Sequence, residues 1–331
     1  MFTEAIEKIL TDLCTPAQVR AVENGEGANA LWRALEEGGF LELLTPQAAD
    51  GAGLALADLL PILLAFGRHA LPLPAAQSIA ARALLRDCPQ APPAGMLTLS
   101  GTAWRDAYGS LCVPRLSFGL LADFALVNFS GELFLLDCTL ARRKPTGVHG
   151  SQCATLYWPA ETLGISVGSN GEEVGVFNAA IHAAAIAGAM ERVLDMTLDY
   201  CNDRVQFGKA IGKFQAVQHQ LSVMAEQVAA SRIAAELAFA GDQPVPALIP
   251  TAIAKARTSM AVSPVAATAH ALFGAIGVTE ELDLQLFTRR LHEWRISEGS
   301  ETYWNGVVGL AMLAQPGATA SAFVRDVIPF A

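Results

Sequence analysis

The chain has 331 residues, of which 52% are apolar and 16% charged, and its formal net charge is −10. Such a length and composition allow two or three structural units and a sizeable core, exclude a disordered chain, and suggest some burial between subunits. The acidic balance excludes a general electrostatic footprint for nucleic acid, so an anionic ligand must find local cations.

The opening MFTEAIEKIL mixes acids with apolar residues and lacks the basic start and small-residue cleavage site of a secretory signal, which gives a cytoplasmic expectation. Up to about residue 88 the apolar period is helical, in ALWRALEEGGFLELL, LALADLLPILLAFGRHA and AQSIAARALLRDC. Gly38-Gly39 and the stretch from Pro46 to Gly53 punctuate these helices, and the proline-rich CPQAPPAG, Cys88 to Gly95, reads as a boundary loop. From Met96 to Gly164 the texture becomes short strand-like runs: MLTLS, SLCVP, FALVNF, LFLLDC and ATLYW. Ser130-Gly131 is placed to turn a hairpin between FALVNF and GELFLLD, because glycine supplies the positive φ that tight hairpins demand.

Long helices are predicted from Asn178 to about Asp203, from Phe214 to about Ala240 and from Pro246 to about Phe273, with two shorter ones flanking Glu298. Pro264 removes an amide donor inside the third, where a kink or break is expected. No stretch reaches the roughly 20 uninterrupted apolar residues of a membrane span, since Asp58 and Pro61 interrupt one candidate and His182 and Glu191 the other. Cys14, Cys88, Cys112, Cys138, Cys153 and Cys201 lie far apart with no metal-ligand spacing; they read as reduced, inert thiols, and no metal site is expected.

The most specific segment is DRVQFGKAIGKFQAVQHQLSVMA, Asp203 to Ala225. Arg204, Lys209 and Lys213 make a positive patch suited to phosphate; the bland alternative is that Arg204 caps the end of a helix, where the dipole favours a cation. Two further segments are HALFGAIGVTEELDLQLFTRRL, from His270, and RISEGSETYWNG, from Arg295. Alone, the first reads as a helix C-cap, and Glu298 with Glu301 as solvated acids near a helix start.

Taken together, the three resemble the C-terminal bundle of acyl-CoA dehydrogenases. Arg204, Gln206, Phe207, Gly208, Lys209, Ile211, Phe214 and Gln215 match the signature that opens it; Gly274, Ile276, Gly277, Thr279, Asp283, Leu284, Arg289 and Arg290 match its glycine turn; and Ile296, Glu298 and Gly299 fall on the run I-Y-E-G-T. The resemblance implies FAD, with Arg204, Gln206, Phe207, Ile211, Gln215, Gly274, Gly277, Ser300 and Thr302 as its contacts, some made to a flavin held mainly by the neighbouring subunit. It also implies Glu298 as the base that removes the α-proton of an acyl-CoA thioester while the flavin takes the β-hydride. A buried carboxylate suits that task, because desolvation raises its pKa toward that of the weakly acidic α-carbon.

This chain departs from the family at Ala271 and Ala275, where a glutamine and a glycine are usual. It also lacks the threonine-glutamate-proline and glycine-serine run that cradles the isoalloxazine, and the chain between Leu84 and Val113 looks too short for the strand that carries it. Some members place the base on the first bundle helix, but Asn178 and Ala179 stand there, and His182 nearby reads as a packed core histidine.

The expected fold is therefore mainly α and acyl-CoA dehydrogenase-like: an N-terminal helical domain over 1–95, an abridged β domain over 96–168 and a four-helix-type bundle over 169–331. The shortened β domain resembles the short subunits of heteromeric acyl-CoA dehydrogenases, including those acting on steroid side chains. The expected partners are an acyl-CoA, an electron-transfer flavoprotein or similar acceptor, and further subunits in a homodimer, homotetramer or heterotetramer. The alternative is a non-catalytic partner subunit that lends flavin contacts to a paralogue.

Overall fold

The computed structural model describes residues 2–327 apart from 87, 89–91, 163, 169, 170, 316 and 318. The boundary loop expected over Cys88–Gly95 thus lies partly outside the described residues. Five helices open the chain: α1 (Phe2–Leu13), α2 (Pro16–Glu23), α3 (Ala28–Glu37), α4 (Leu56–Arg68) and α5 (Ala75–Leu84). The strands follow as β1 (Leu97–Ser100), β2 (Trp104–Arg105), β3 (Leu111–Leu116), β4 (Phe124–Phe129), β5 (Glu132–Asp137), β6 (Arg142–Pro145), β7 (Ala154–Trp158) and β8 (Ile165–Gly168). They form two four-stranded sheets, in the orders β1-β4-β5-β8 and β2-β3-β7-β6. The β4–β5 hairpin turns at Ser130-Gly131, both at positive φ (56° and 86°), as the sequence predicts. The strand-like run MLTLS forms β1, within the stretch that looked too short for the family's opening strand. β1 pairs in parallel with β4 and runs into Gly101 and Thr102.

The bundle begins with α6 (Gly171–Asp203), followed by a small hairpin of β9 (Val205–Gln206) and β10 (Lys209–Ala210). Then come α7 (Gln215–Phe239), α8 (Leu248–Phe273), α9 (Leu284–Ile296), α10 (Glu301–Leu313) and α11 (Ala320–Val327). The kink or break expected at Pro264 is not seen as an interruption, because α8 runs unbroken through it. Packing against α6, α7, α9 and α10 outweighs the single lost hydrogen bond.

α6 is the axis of the fold, touching α4, α5, α7, α8 and α9 as well as β1 and β4. Its alanines and Gly188 let neighbours approach closely: a Cβ at Gly188 would lie 2.1 Å from the Leu64 carbonyl oxygen. One continuous apolar core joins α1–α5, β1 and the bundle, and a second, smaller core lies between the two sheets. The membrane-span reading needs correction on length. α6 and the stretch Leu248–Val278 are both long and apolar enough to cross a membrane, although 78% of the most apolar window of α6 and 39% of the other lie buried inside the fold. The polar residues that interrupt α6 in sequence are satisfied here by protein contacts, His182 by Asn178 and Ser117, and Glu191 by Arg68 and Arg232.

Candidate active site

Two clusters of candidate residues lie at the two ends of α6. At its N-terminal end, α9 stops at Ile296 and the chain passes through Glu298 (φ 49°) and Gly299 (φ 96°) before α10 begins. The left-handed turn at Glu298 is strained for a residue with a Cβ, and side chains from distant segments hold it. Trp304 Nε1 donates to the Glu298 carbonyl oxygen at 2.8 Å. The Glu298 carboxylate accepts a hydrogen bond from the Gly101 amide at 3.2 Å and one from Asn178 Nδ2 at 3.1 Å. Asn178 also donates to the Leu99 carbonyl at 3.0 Å, while its own Oδ1 is buried without a partner among the described residues. This closeness requires glycine at 101, where a Cβ would lie 2.6 Å from Gly175 Cα and 3.0 Å from Glu298 Oε2.

Burial pushes the Glu298 carboxyl up to about 7, against the opposing influence of the Gly101 and Asn178 hydrogen bonds and the Lys255 charge. The residue keeps some exposed surface because it borders a cavity of about 710 Å³, whose walls include Gly101, Thr102, Tyr303 and Trp304. Glu172 and Glu173 from the start of α6 also line it, and among the described lining residues there is no arginine or lysine. Lys255 of α8 is fully buried behind the turn, and burial lowers its pKa to about 7. One turn beyond Asn178, His182 is sealed in the core, with Nδ1 2.7 Å from the Asn178 carbonyl oxygen and Nε2 3.3 Å from Ser117 Oγ. Burial lowers it to about 4, so it is a neutral packing residue, as the sequence suggests.

At the C-terminal end of α6 the β9–β10 hairpin stands out from the surface. Arg204 anchors it through its backbone, donating N–H to the Tyr200 carbonyl and accepting from the Ile211 amide, both at 2.8 Å. Its exposed guanidinium makes no hydrogen bond or ion pair among the described residues, while its place directly after the last residue of α6 also fits a cation at a helix C-terminus, where the dipole favours it. Phe207, at φ 50°, is 93% exposed, with its ring edge-on to Phe214 at 6.2 Å. Gln206 and Gln215 are exposed and Ile211 half-buried. The glycine turn joins this end, since Tyr200 stacks on Phe273 at 4.4 Å and donates to its carbonyl just before Gly274 (φ 67°) and Gly277. A guanidinium without a partner among the described residues, an aromatic ring 93% exposed and the open backbone at Gly274 fit the diphosphate and adenosine portions of a dinucleotide.

The candidate residues therefore form two groups. Arg204, Gln206, Phe207, Ile211, Gln215, Gly274 and Gly277 gather at one end. Glu298, Ser300 at the start of α10 and the exposed Thr302 gather at the other. Asn178 and Asp203 are 25 residues apart on one continuous helix, which puts the ends about 37 Å apart at 1.5 Å per residue. Sequence reasoning missed Gly101, Trp304 and Lys255 as neighbours of Glu298. The available signal for Lys255 was a lone cation in the alanine-rich run TAIAKA. The six cysteines are free thiols; burial pushes Cys14 and Cys138 up to about 12, which keeps them protonated.

A family model described as acyl-CoA dehydrogenase, C-terminal domain, matches residues 177–312. The acyl-CoA dehydrogenase IpdE2 of Mycobacterium tuberculosis is 31% identical over 299 residues, covering 88% of this chain and 90% of its own length. The IpdE2 of Mycolicibacterium smegmatis is 30% identical over 298 residues, covering 88% and 91%. Among solved structures, a chain of the ChsE4-ChsE5 complex from Mycobacterium tuberculosis superposes with a TM-score of 0.83 at 22% identity, over 95% of this chain and 97% of that one.

Proposed function

The chain belongs to the acyl-CoA dehydrogenase family of FAD-dependent oxidoreductases, in its short form, and on that premise we propose that it dehydrogenates an acyl-CoA thioester at the α,β-bond with Glu298 as base. The observation that carries this reading is the Glu298 carboxyl, raised to about 7 at the edge of a cavity large enough for a ligand. Its two hydrogen bonds use two of roughly four acceptor positions on the carboxylate, leaving lone pairs to take a proton from substrate. When bound, FAD supplies the acceptor for the β-hydride. Asn178 and the Gly101 amide orient the carboxylate, and Trp304 holds the turn beneath it. Arg204, Gln206, Phe207, Ile211, Gln215, Gly274 and Gly277 would hold the diphosphate and adenosine portions, with Ser300 and Thr302 near the reacting end. The division into units at 1–95, 96–168 and 169–331 is supported by the confinement of β1–β8 to Leu97–Gly168.

A second reading is favoured by the separation along α6. A flavin gripped by Arg204 does not belong to the site of Glu298 in the same chain, so each site is completed by another subunit. The acidic rim at Glu172 and Glu173 points the same way, because the phosphates of a CoA thioester need cations that these walls do not supply. In this reading the chain is one subunit of a heteromer that lends Arg204 to a paralogue's flavin. Flavin content per chain, measured for the protein alone and with candidate partner chains, separates the two. Yellow protein whose turnover is lost in Glu298→Gln supports the base; flavin that appears only in a complex and turnover insensitive to that substitution supports the lending subunit.

A further inference from the structure

The turn that carries Glu298 is held from below by a lysine that the proposed reaction does not itself use. Lys255 is 0% exposed and spends all three of its donors: on the Arg295 carbonyl at 2.9 Å, on the Gly299 carbonyl at 3.0 Å and on Ser259 Oγ at 3.0 Å. The two carbonyls flank Glu298 on either side along the chain. A buried ammonium is costly, and an uncharged residue would fill the same space without that cost, so its placement calls for an effect on what lies above it. Arg295 is fixed independently through its side chain, by an ion pair with Glu301 and a hydrogen bond to Ser263 Oγ at 2.8 Å, so the α9 side of the clamp is rigid. On the far side Trp304 and the Gly101–Gly175 contact complete the enclosure.

We propose that Lys255 is the positioning residue for Glu298: it clamps the carbonyls of Arg295 and Gly299, keeps the turn left-handed, and aims the carboxylate at the Gly101 amide and Asn178, beside the cavity. This deepens the base reading and rests on it for the consequence in turnover, though not for the clamp itself. The charged and titratable groups around the pair are Arg295 from α9, Glu301 from α10, and His182, Glu172 and Glu173 from α6. Glu301 and Arg295 neutralise each other, and His182 is neutral, which leaves Lys255, wherever it is protonated, as the cation that favours the ionised form of Glu298.

The test is a pH titration by infrared difference spectroscopy on the protein as purified, with any chain that accompanies it, in the absence of substrate. The protonated-carboxyl band that disappears in Glu298→Gln belongs to Glu298. In Lys255→Gln, which keeps donors and loses the charge, that band should persist to higher pH than in the wild type. In Lys255→Met, which loses both, it should also change frequency as the hydrogen bonds from Gly101 and Asn178 are released. With an acyl-CoA that the wild type turns over, Lys255→Met should lose kcat by about 100-fold with little change in KM, as for a base misplaced by about 1 Å. In Lys255→Gln the acid limb of the kcat profile should move to higher pH. A lysine that merely fills space would lower the melting temperature and leave the Glu298 midpoint where it is, and that result overturns the proposal. Should Lys255→Met fail to fold, an unmoved midpoint in Lys255→Gln alone is sufficient to overturn it. Full turnover in Glu298→Gln would end the base reading while leaving the infrared result standing, so the two failures are distinct.

Discussion

The two ends of α6 carry the same family signature in opposite physical states. At Asn178 the helix end is enclosed: Lys255 from α8, Trp304 from α10 and Glu298 from the turn between α9 and α10 surround it, and the Asn178 amide nitrogen and the Glu298 carboxylate are hydrogen-bonded within the chain. At Arg204 the helix end is open, with a guanidinium that has no partner among the described residues and a phenylalanine 93% exposed in a left-handed turn. The enclosed end is organised to set a proton affinity, which requires excluding water. The open end offers charge and aromatic surface that no described residue covers, as expected of a contact completed by a ligand or a second subunit. On the proposed reading, proton chemistry and dinucleotide binding are divided along one helix, and the division should be separable by mutation.

The sharpest separation should come from Glu298→Gln, which is expected to lower kcat by about 10²- to 10⁴-fold, the usual contribution of a general base, with flavin content per chain unchanged. In the wild type kcat should rise through about pH 7 as the carboxyl ionises. Arg204→Ala should do the reverse. It is expected to weaken FAD by about 10- to 100-fold, the loss of charge-assisted hydrogen bonds, while the unfolding free energy of the flavin-free protein moves by no more than about 0.5 kcal/mol. Equilibrium dialysis and denaturant melts would check both, and a large stability loss in Arg204→Ala would break the picture of an uncovered end. Gly101→Ala tests the enclosed end through packing: the added methyl meets Gly175 Cα at 2.6 Å, and a destabilisation of about 1–3 kcal/mol is expected. Gly274→Ala, where a Cβ meets nothing within 4 Å but φ 67° with ψ −143° is a combination close to glycine-only, should cost about 1–3 kcal/mol through backbone strain alone.

The smallest effect is a slope of less than one proton in stability against pH. Because the folded pKa of Glu298 is raised from 4.5 to about 7, its contribution is fully present below pH 4.5 and is lost as pH rises through about 7. His182, lowered from 6.5 to about 4, opposes it: its burial penalty is relieved as pH rises through 6.5. Lys255, lowered from 10.5 to about 7, gives stability that rises only between about pH 7 and 10.5. The difference between wild type and Glu298→Gln isolates the first of these. Above pH 4.5 the wild type should lose stability relative to the variant, and parallel curves would refute a raised Glu298.

Much of the fold was legible because its signals are local. The bundle helices, the Ser130-Gly131 hairpin and the turn between α6 and α7 each follow from periodicity or turn chemistry within a few residues. Where the sequence reading departed from the fold, tertiary packing had prevailed: α8 is not broken at Pro264, and α6 starts at Gly171 rather than Asn178. At the site, Arg204, Phe207 and Glu298 were legible from motifs. Asn178 was noticed only for not being an acid, and its role as a hydrogen-bond donor to the carboxylate depends on a partner 120 residues away.

By itself, then, the sequence determined the family, the helical bundle and the identity of the candidate base, because these are written in short runs of contiguous residues. Only the tertiary structure decided that burial raises Glu298 to about 7, that Lys255 bonds the carbonyls of Arg295 and Gly299 beside it and that Arg204 lies at the far end of α6. Desolvation, enclosure and distance depend on segments far apart in the chain: the Gly101 amide reaches Glu298 across 197 residues.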